Sequence, residues 1–140
     1  MSDILSIDIS REIPFYDVDS YRIVWHGHYP KYFEEARCAL LTKLGCSYAD
    51  MEEWGYFFPI IELNTRYIKP LMFQQKISIR ATLTEWRNKL SIDYVITDLK
   101  TKERLTKANT SQVSILMPDK ITQFESPEIL RNKIEALLKR

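Results

Sequence analysis

The sequence predicts an α+β domain in which a run of antiparallel strands follows a long helix. Tyr29, Phe33, Ala36, Leu40, Leu41 and Leu44 recur at steps of three and four, which places them on one helical stripe. Beyond Gly55 the period becomes two: "KISIRATL" turns Ile77, Ile79, Ala81 and Leu83 inward, and "NKLSIDYVI" repeats the pattern with Leu90, Ile92, Tyr94 and Ile96. The short polar link at 85–88 suggests a hairpin between these two strands.

The remaining elements follow in chain order. "ILSIDISREI" alternates apolar and polar residues as a half-buried strand does. The long helix is expected over 29–44, with Pro30 in a first turn where a missing N–H costs nothing and Gly45 as a left-handed C-terminal cap. "CSYADMEEWG" reads as a shorter helix starting at Ser47 or Asp50 and stopping at Gly55. "FFPIIELNTRYI" resembles a strand entering a turn at Lys69 and Pro70. A further strand is expected over about 104–117. There Leu105, Val113 and Ile115 share one parity while Ala108 and Leu116 share the other, which calls for a bulge or for burial on both faces. In "SPEILRNKIEALLKR", Ser126 can cap, Pro127 can take the first helical position, and Glu128 meets the positive end of the dipole. Ile129, Leu130, Ile134, Leu137 and Leu138 form that helix's apolar face.

The 140 residues contain no glycine- or serine-rich break and no repeat, so one domain over 1–140 is expected. A hydrophobic fraction of 45% suffices for a core, and 28% charged residues suit a soluble exterior. A net charge of +1 without a local basic patch argues against nucleic acid as a partner. No apolar run approaches the roughly 20 residues of a membrane span, and "MSDILSIDIS" lacks a basic start and a long apolar segment. A cytoplasmic location is the resulting expectation. Cys38 and Cys46 read as buried reduced thiols, neither a disulfide framework nor a zinc site. No cofactor is expected, and the "HGH" pair lacks further histidine or cysteine ligands nearby for a metal.

Chemistry concentrates in "FYDVDSYRIVWHGHY", residues 15–29, which hold Asp17, Asp19, both histidines and five aromatic rings. An aspartate here commonly caps a turn or helix. The helix that starts near His26 to Tyr29 offers unpaired backbone N–H groups and a partial positive charge, both suited to a carbonyl oxygen that turns negative. Such donors, together with a nucleophile or a base that delivers water, are what hydrolysis at a carbonyl carbon needs.

"D-x-D", a short turn, "V-W-H", a helix containing "YFEEAR" and four antiparallel strands together resemble the hotdog-fold thioesterases. The similarity is to the 4-hydroxybenzoyl-CoA and Tol-Pal-associated acyl-CoA thioesterase group and runs from about Ile7 to Met117, with "RYIKPLMF" matching the turn between the second and third strands. The resemblance implies a five-stranded antiparallel sheet wrapped around a long central helix, here with an extra C-terminal helix. It implies at least a homodimer, or a homotetramer, with sites at the subunit interface and an acyl-CoA or acyl-carrier-protein substrate. The second aspartate of "D-x-D", the family's catalytic carboxylate, falls on Asp19, and the histidine of the Tol-Pal-associated branch falls on His26. The His26 or Gly27 amide would hold the oxyanion, and Trp25, Gly27 and Arg22 would meet the substrate.

The chain departs from the family pattern in three places. Arg22 replaces the usual glycine, so a different local loop is expected. Phe15 stands where that branch has a tyrosine, with Tyr16 expected to point the other way along a strand, and Gln74 and Gln75 replace a common acidic pair. These departures motivate an alternative of another class, a non-hydrolytic domain that binds acyl chains or docks on a carrier protein. A hotdog dehydratase or hydratase ranks below both. Asp17 and His28 are expected to be structural or solvated, and Glu34 and Arg37, three apart on a helix, are expected to pair with each other.

Overall fold

The structure, a computed structural model, describes residues 4–139. Met1, Ser2, Asp3 and Arg140, the ends of the expected 1–140 domain, lie outside the described residues.

Strand β1 (Ser6–Glu12) leads through a 3-10 turn (Phe15–Asp17) and another (His26–His28) into α1 (Tyr29–Lys43). Then come α2 (Tyr48–Glu53), β2 (Tyr56–Phe57), β3 (Ile60–Tyr67), β4 (Lys76–Glu85), β5 (Leu90–Asp98), β6 (Arg104–Gln112), β7 (Ile115–Leu116), β8 (Ile121–Thr122) and α3 (Glu128–Leu138). Five strands form an antiparallel sheet in the order β1-β4-β5-β6-β3, and β2, β7 and β8 form a small second sheet. This is the hotdog architecture, with α1 packed against β4 and β1 and α3 added at the C-terminus. No helix among the described residues is long and apolar enough to cross a membrane.

The expected periodicities build the core. Ile77, Ile79, Ala81 and Leu83 of β4 and Leu90, Ile92, Tyr94 and Ile96 of β5 are all buried. They meet Tyr29, Tyr32, Phe33, Ala36, Leu40 and Leu41 of α1 in one cluster. Burying each large side chain contributes about 1.5–3 kcal/mol. Gly45, at φ +79, ends α1: its N–H bonds the Thr42 carbonyl while the Cys46 N–H bonds that of Leu41. These are the two bonds of a Schellman cap. Ser47 and Asp50 satisfy each other's backbone N–H as a capping box for α2.

Four expectations change. The strand expected over 104–117 stops at Gln112, whose side-chain amide donates to the Phe58 carbonyl at 2.7 Å, and the chain resumes as β7 in the small sheet. The mixed parity reflects burial of neighbours on opposite faces, Leu105 and Thr106, followed by this change of sheet. Ser126 does not cap α3: Pro127 holds the cap position, and the buried Ser126 hydroxyl has no hydrogen-bond partner among the described residues. The apolar face of α3 is narrower than expected, with Leu130 and Ile134 buried while Ile129 and Leu138 face solvent. Cys46 is buried, but Cys38 is only half-buried, and both are free thiols. Burial pushes the Cys46 thiol up to about 11 and raises Cys38 as well.

Strand β3 lies at the sheet edge with both faces open: Ile60, Ile61, Leu63 and Tyr67 are all exposed. An apolar edge strand of this kind is a template for pairing with another chain.

Candidate active site

Residues 17–25 form a narrow hairpin. The Trp25 N–H bonds the Asp17 carbonyl at 3.1 Å, the Asp19 N–H bonds the Ile23 carbonyl at 2.9 Å, and Val18 bridges Val24. Its tip closes when the Arg22 N–H reaches the Asp19 carbonyl at 2.9 Å and the Tyr21 N–H reaches Asp19 Oδ1 at 2.8 Å. The second contact is a turn that aspartate favours. Arg22 follows at φ 65, in the left-handed region. A turn followed by a left-handed residue is a standard three-residue hairpin connection, which explains why glycine suits this position. Arg22 takes a left-handed backbone angle, which glycine adopts most readily.

On its other side the hairpin is pinned by the Val24 N–H on the Leu71 carbonyl and the Phe73 N–H on the Arg22 carbonyl. Gln75 closes that neighbouring turn by accepting from the Met72 N–H and donating to Asp98. Phe15 lies in a 3-10 turn, not a strand, edge-on to Phe73 with centroids 5.5 Å apart. Tyr16 does not point into the fold opposite it, as a strand would require; both rings are exposed, and Lys31 Nζ lies 5.8 Å over Tyr16.

The two aspartates are physically unlike. Asp17 is fully buried and accepts from Lys31 Nζ and from Tyr32 Oη, each at 2.6 Å, with Arg11 at 3.6 Å and His28 Nδ1 at 3.9 Å. Burial alone would raise its pKa, but the hydrogen bonds from Lys31 and Tyr32 and the charges of Lys31 and His28 win and hold it below the usual value. The same contact and burial raise the Tyr32 phenol. Asp17 thus ties the hairpin to α1 and is structural, and His28 is half-buried facing it. Asp19, by contrast, is half-buried, and among the described residues its carboxylate holds only the Tyr21 N–H.

Past the hairpin, Trp25 is half exposed and its ring spans His26 and His28 at centroid distances of 5.1 and 5.3 Å. His26 and Gly27 are exposed at the 3-10 entry to α1. The His28 N–H is used by the Trp25 carbonyl, whereas no hydrogen bond among the described residues uses the amides of His26 or Gly27. They are the leading N–H groups of a continuous helical run, at its positive end. A Cβ on Gly27 would come within 2.2 Å of the Trp25 ring, so glycine is what lets the indole lie across this amide.

The fold thus brings Asp19, Arg22, Trp25, His26 and Gly27 into one hairpin and the helix start that follows it. The expected Glu34–Arg37 pair is absent: Arg37 is buried and donates from Nε to Tyr48 Oη at 2.6 Å and from an amino group to Tyr94 Oη at 3.2 Å. The sequence reading missed this cluster, although Arg37 falls at the helical step that links Phe33 to Leu40 and Leu41 and so carried a signal of burial. Among the aromatic residues, Tyr29, Tyr32, Phe33 and Phe58 belong to the core. Phe57, Phe58 and Tyr56 also line a cavity of about 520 Å³ between α2 and the small sheet, whose walls include no residue of the hairpin. No group of three or more histidine, cysteine, aspartate or glutamate residues among the described residues is placed to hold a metal ion.

The chain belongs to the thioesterase-like superfamily, which it matches over residues 13–131. It is 30% identical over 106 residues to an Aquifex aeolicus (strain VF5) protein named "Putative esterase", covering 75% of this chain and 81% of that one. It is 31% identical over 75 residues to "Putative acyl-CoA thioesterase YneP" of Bacillus subtilis (strain 168), 54% of each chain. The solved structure of a DHNA-CoA thioesterase from Staphylococcus aureus superposes with a TM-score of 0.81 at 26% identity, covering 96% of this chain and 93% of that one.

Proposed function

We propose that this protein hydrolyses acyl-CoA or acyl-carrier-protein thioesters, with Asp19 as the catalytic carboxylate. The observation that carries the reading is the contrast at the hairpin. Asp17 is saturated with partners, while Asp19 keeps one oxygen uncommitted just ahead of two free amides at the positive end of α1. Asp19 activates water or attacks the thioester carbonyl. The His26 and Gly27 N–H groups hold the carbonyl oxygen as it gains charge, a role worth about 2.7–4 kcal/mol per donor in other acyl-transfer sites. The His26 imidazole positions the water or adds a further hydrogen bond. Trp25 forms a wall, and the exposed Arg22 at the hairpin tip suits a CoA phosphate. His26 and "D-x-D" favour the Tol-Pal-associated branch.

Two copies pair along the open β3 edge in this reading, completing the site as a homodimer or, through a further face, a homotetramer. A reducing cytoplasm suits the free cysteines. The acyl-binding alternative drew on Arg22, Phe15 and the glutamines; the left-handed angle of Arg22 and the turn closed by Gln75 give two of these departures local structural roles. The test is release of free thiol from a panel of CoA and carrier-protein thioesters by wild type and Asp19→Asn. Loss of turnover in the variant is expected, and wild-type-like turnover defeats the mechanism. Sedimentation analysis of the wild type checks the assembly, and a monomer throughout the micromolar range defeats the pairing.

A further inference from the structure

Arg37 is a buried cation with no anionic partner among the described residues. Only 7% exposed, it is held by two phenol oxygens, those of Tyr48 and Tyr94. Tyr94 shares a hydrogen bond with Thr110 at 2.8 Å, and Tyr48 accepts a second one from Gln112 at 3.0 Å. Burial opposes the guanidinium charge, but the polarised oxygens of Tyr94 and Tyr48 more than offset it, so Arg37 stays protonated. Its other amino group makes no hydrogen bond among the described residues, and Glu34, one turn earlier, is exposed and makes no ion pair among them. A charge withdrawn from water without a counter-ion costs several kcal/mol, and a carboxylate is the natural match for a guanidinium fork.

Arg37 lines a cleft of about 220 Å³ together with Pro30, Lys31, Phe33, Glu34, Ile60, Leu63 and Thr110. Pro30 sits in the first turn of α1 and Arg37 seven residues on, so the cleft follows about 10 Å of helix inward from the end that carries the His26 and Gly27 amides. Apolar side chains from β3 face it along the way. Lys31 is already engaged by Asp17, which leaves Glu34 at the rim and Arg37 as the cation within.

We infer that this cleft takes the acyl group and that Arg37 reads its far end, so that the preferred acyl group carries a terminal carboxylate, as in the monothioester of a dicarboxylic acid. The inference rests on the hydrolase reading above for the position of the thioester carbonyl. Thr110 offers a hydroxyl beside the same carboxylate.

The experiment compares kcat/KM for adipoyl-CoA and hexanoyl-CoA in wild type, Arg37→Met and Arg37→Lys. A hydrogen bond to a charged group contributes about 1.5–3 kcal/mol, so wild type should prefer adipoyl-CoA by about tenfold or more. The preference should collapse toward unity in Arg37→Met, mainly through KM, and survive in part in Arg37→Lys. A wild-type ratio near one, or a ratio unchanged in Arg37→Met, overturns the inference. If Arg37→Met does not fold, the wild-type ratio and Arg37→Lys decide. If neither thioester is turned over, the wider panel of CoA and carrier-protein thioesters decides the hydrolase reading separately. Calorimetric binding of the two thioesters to wild type and Arg37→Lys then decides the role of Arg37: stronger binding of adipoyl-CoA that falls in the variant supports it, and equal binding overturns it.

Discussion

Asp17→Asn and Asp19→Asn, two residues apart, should separate stability from chemistry. Asparagine at 17 preserves the shape and can still accept from the Tyr32 hydroxyl, but it removes the charge facing Lys31, Arg11 and His28. Lys31 is 46% exposed and can turn to water, which discounts the loss. A charge-assisted hydrogen bond contributes about 1.5–3 kcal/mol, and the lower part of that range, about 2 kcal/mol, applies here. With an unfolding entropy of about 2.1 cal/mol/K per residue, the 140-residue chain should lose about 7 °C in Tm. The pH dependence has a fixed sign. The folded pKa of Asp17 lies below its ordinary value, so its stabilisation is complete above the unfolded pKa of about 3.9 and fades as pH falls through the lower folded value. Urea denaturation should therefore show a gap between wild type and Asp17→Asn at pH 7 that narrows as the pH falls below about 3.9. No gap at pH 7, or one as wide at pH 3 as at pH 7, refutes the assigned role. Asp19→Asn still accepts the Tyr21 N–H and should stay within about 0.5 kcal/mol of wild type, while losing about 10²–10⁴-fold in turnover.

Arg22→Gly relieves a left-handed non-glycine residue and should stabilise by about 0.5–1 kcal/mol in urea; a rise in KM for CoA thioesters alongside it would report the phosphate contact, and lower stability would count against the strain argument. His26→Ala should slow hydrolysis less than Asp19→Asn, because the backbone amide remains; an equal or larger loss would make the imidazole the principal group. Gly27→Ala should fold yet push Trp25 aside, seen as a change in tryptophan fluorescence with raised KM, and an unchanged spectrum would contradict the packing. Thiol titration at pH 8 should leave Cys46 unreacted until unfolding, since its thiol sits near 11; prompt labelling of Cys46 in the native protein would contradict its burial.

Much of this was readable in one dimension. The steps of three and four through Leu44, the alternation in β4 and β5, the left-handed glycine at 45 and the capping residue at 47 are local consequences of backbone geometry, and the structure realises each one. "D-x-D" followed by a helix start was likewise visible as a candidate site. Local pattern failed where the deciding partner is distant in sequence. Nothing near Ser126 says that its hydroxyl is buried unpaired, and nothing near Gln112 says that the strand must end to bond Phe58.

The sequence by itself determined the long helix, the principal strands and the crowding of carboxylates and amides into residues 15–29, because propensity, period and capping act over a few residues. Only the tertiary structure showed what holds Asp17, which is claimed by Lys31 and Tyr32 from α1 and by Arg11 from β1. It also decided that Arg37 faces phenols from α2 and β5 and not Glu34. Burial and charge pairing are properties of what the folded chain brings together from afar, and no neighbouring residue encodes them.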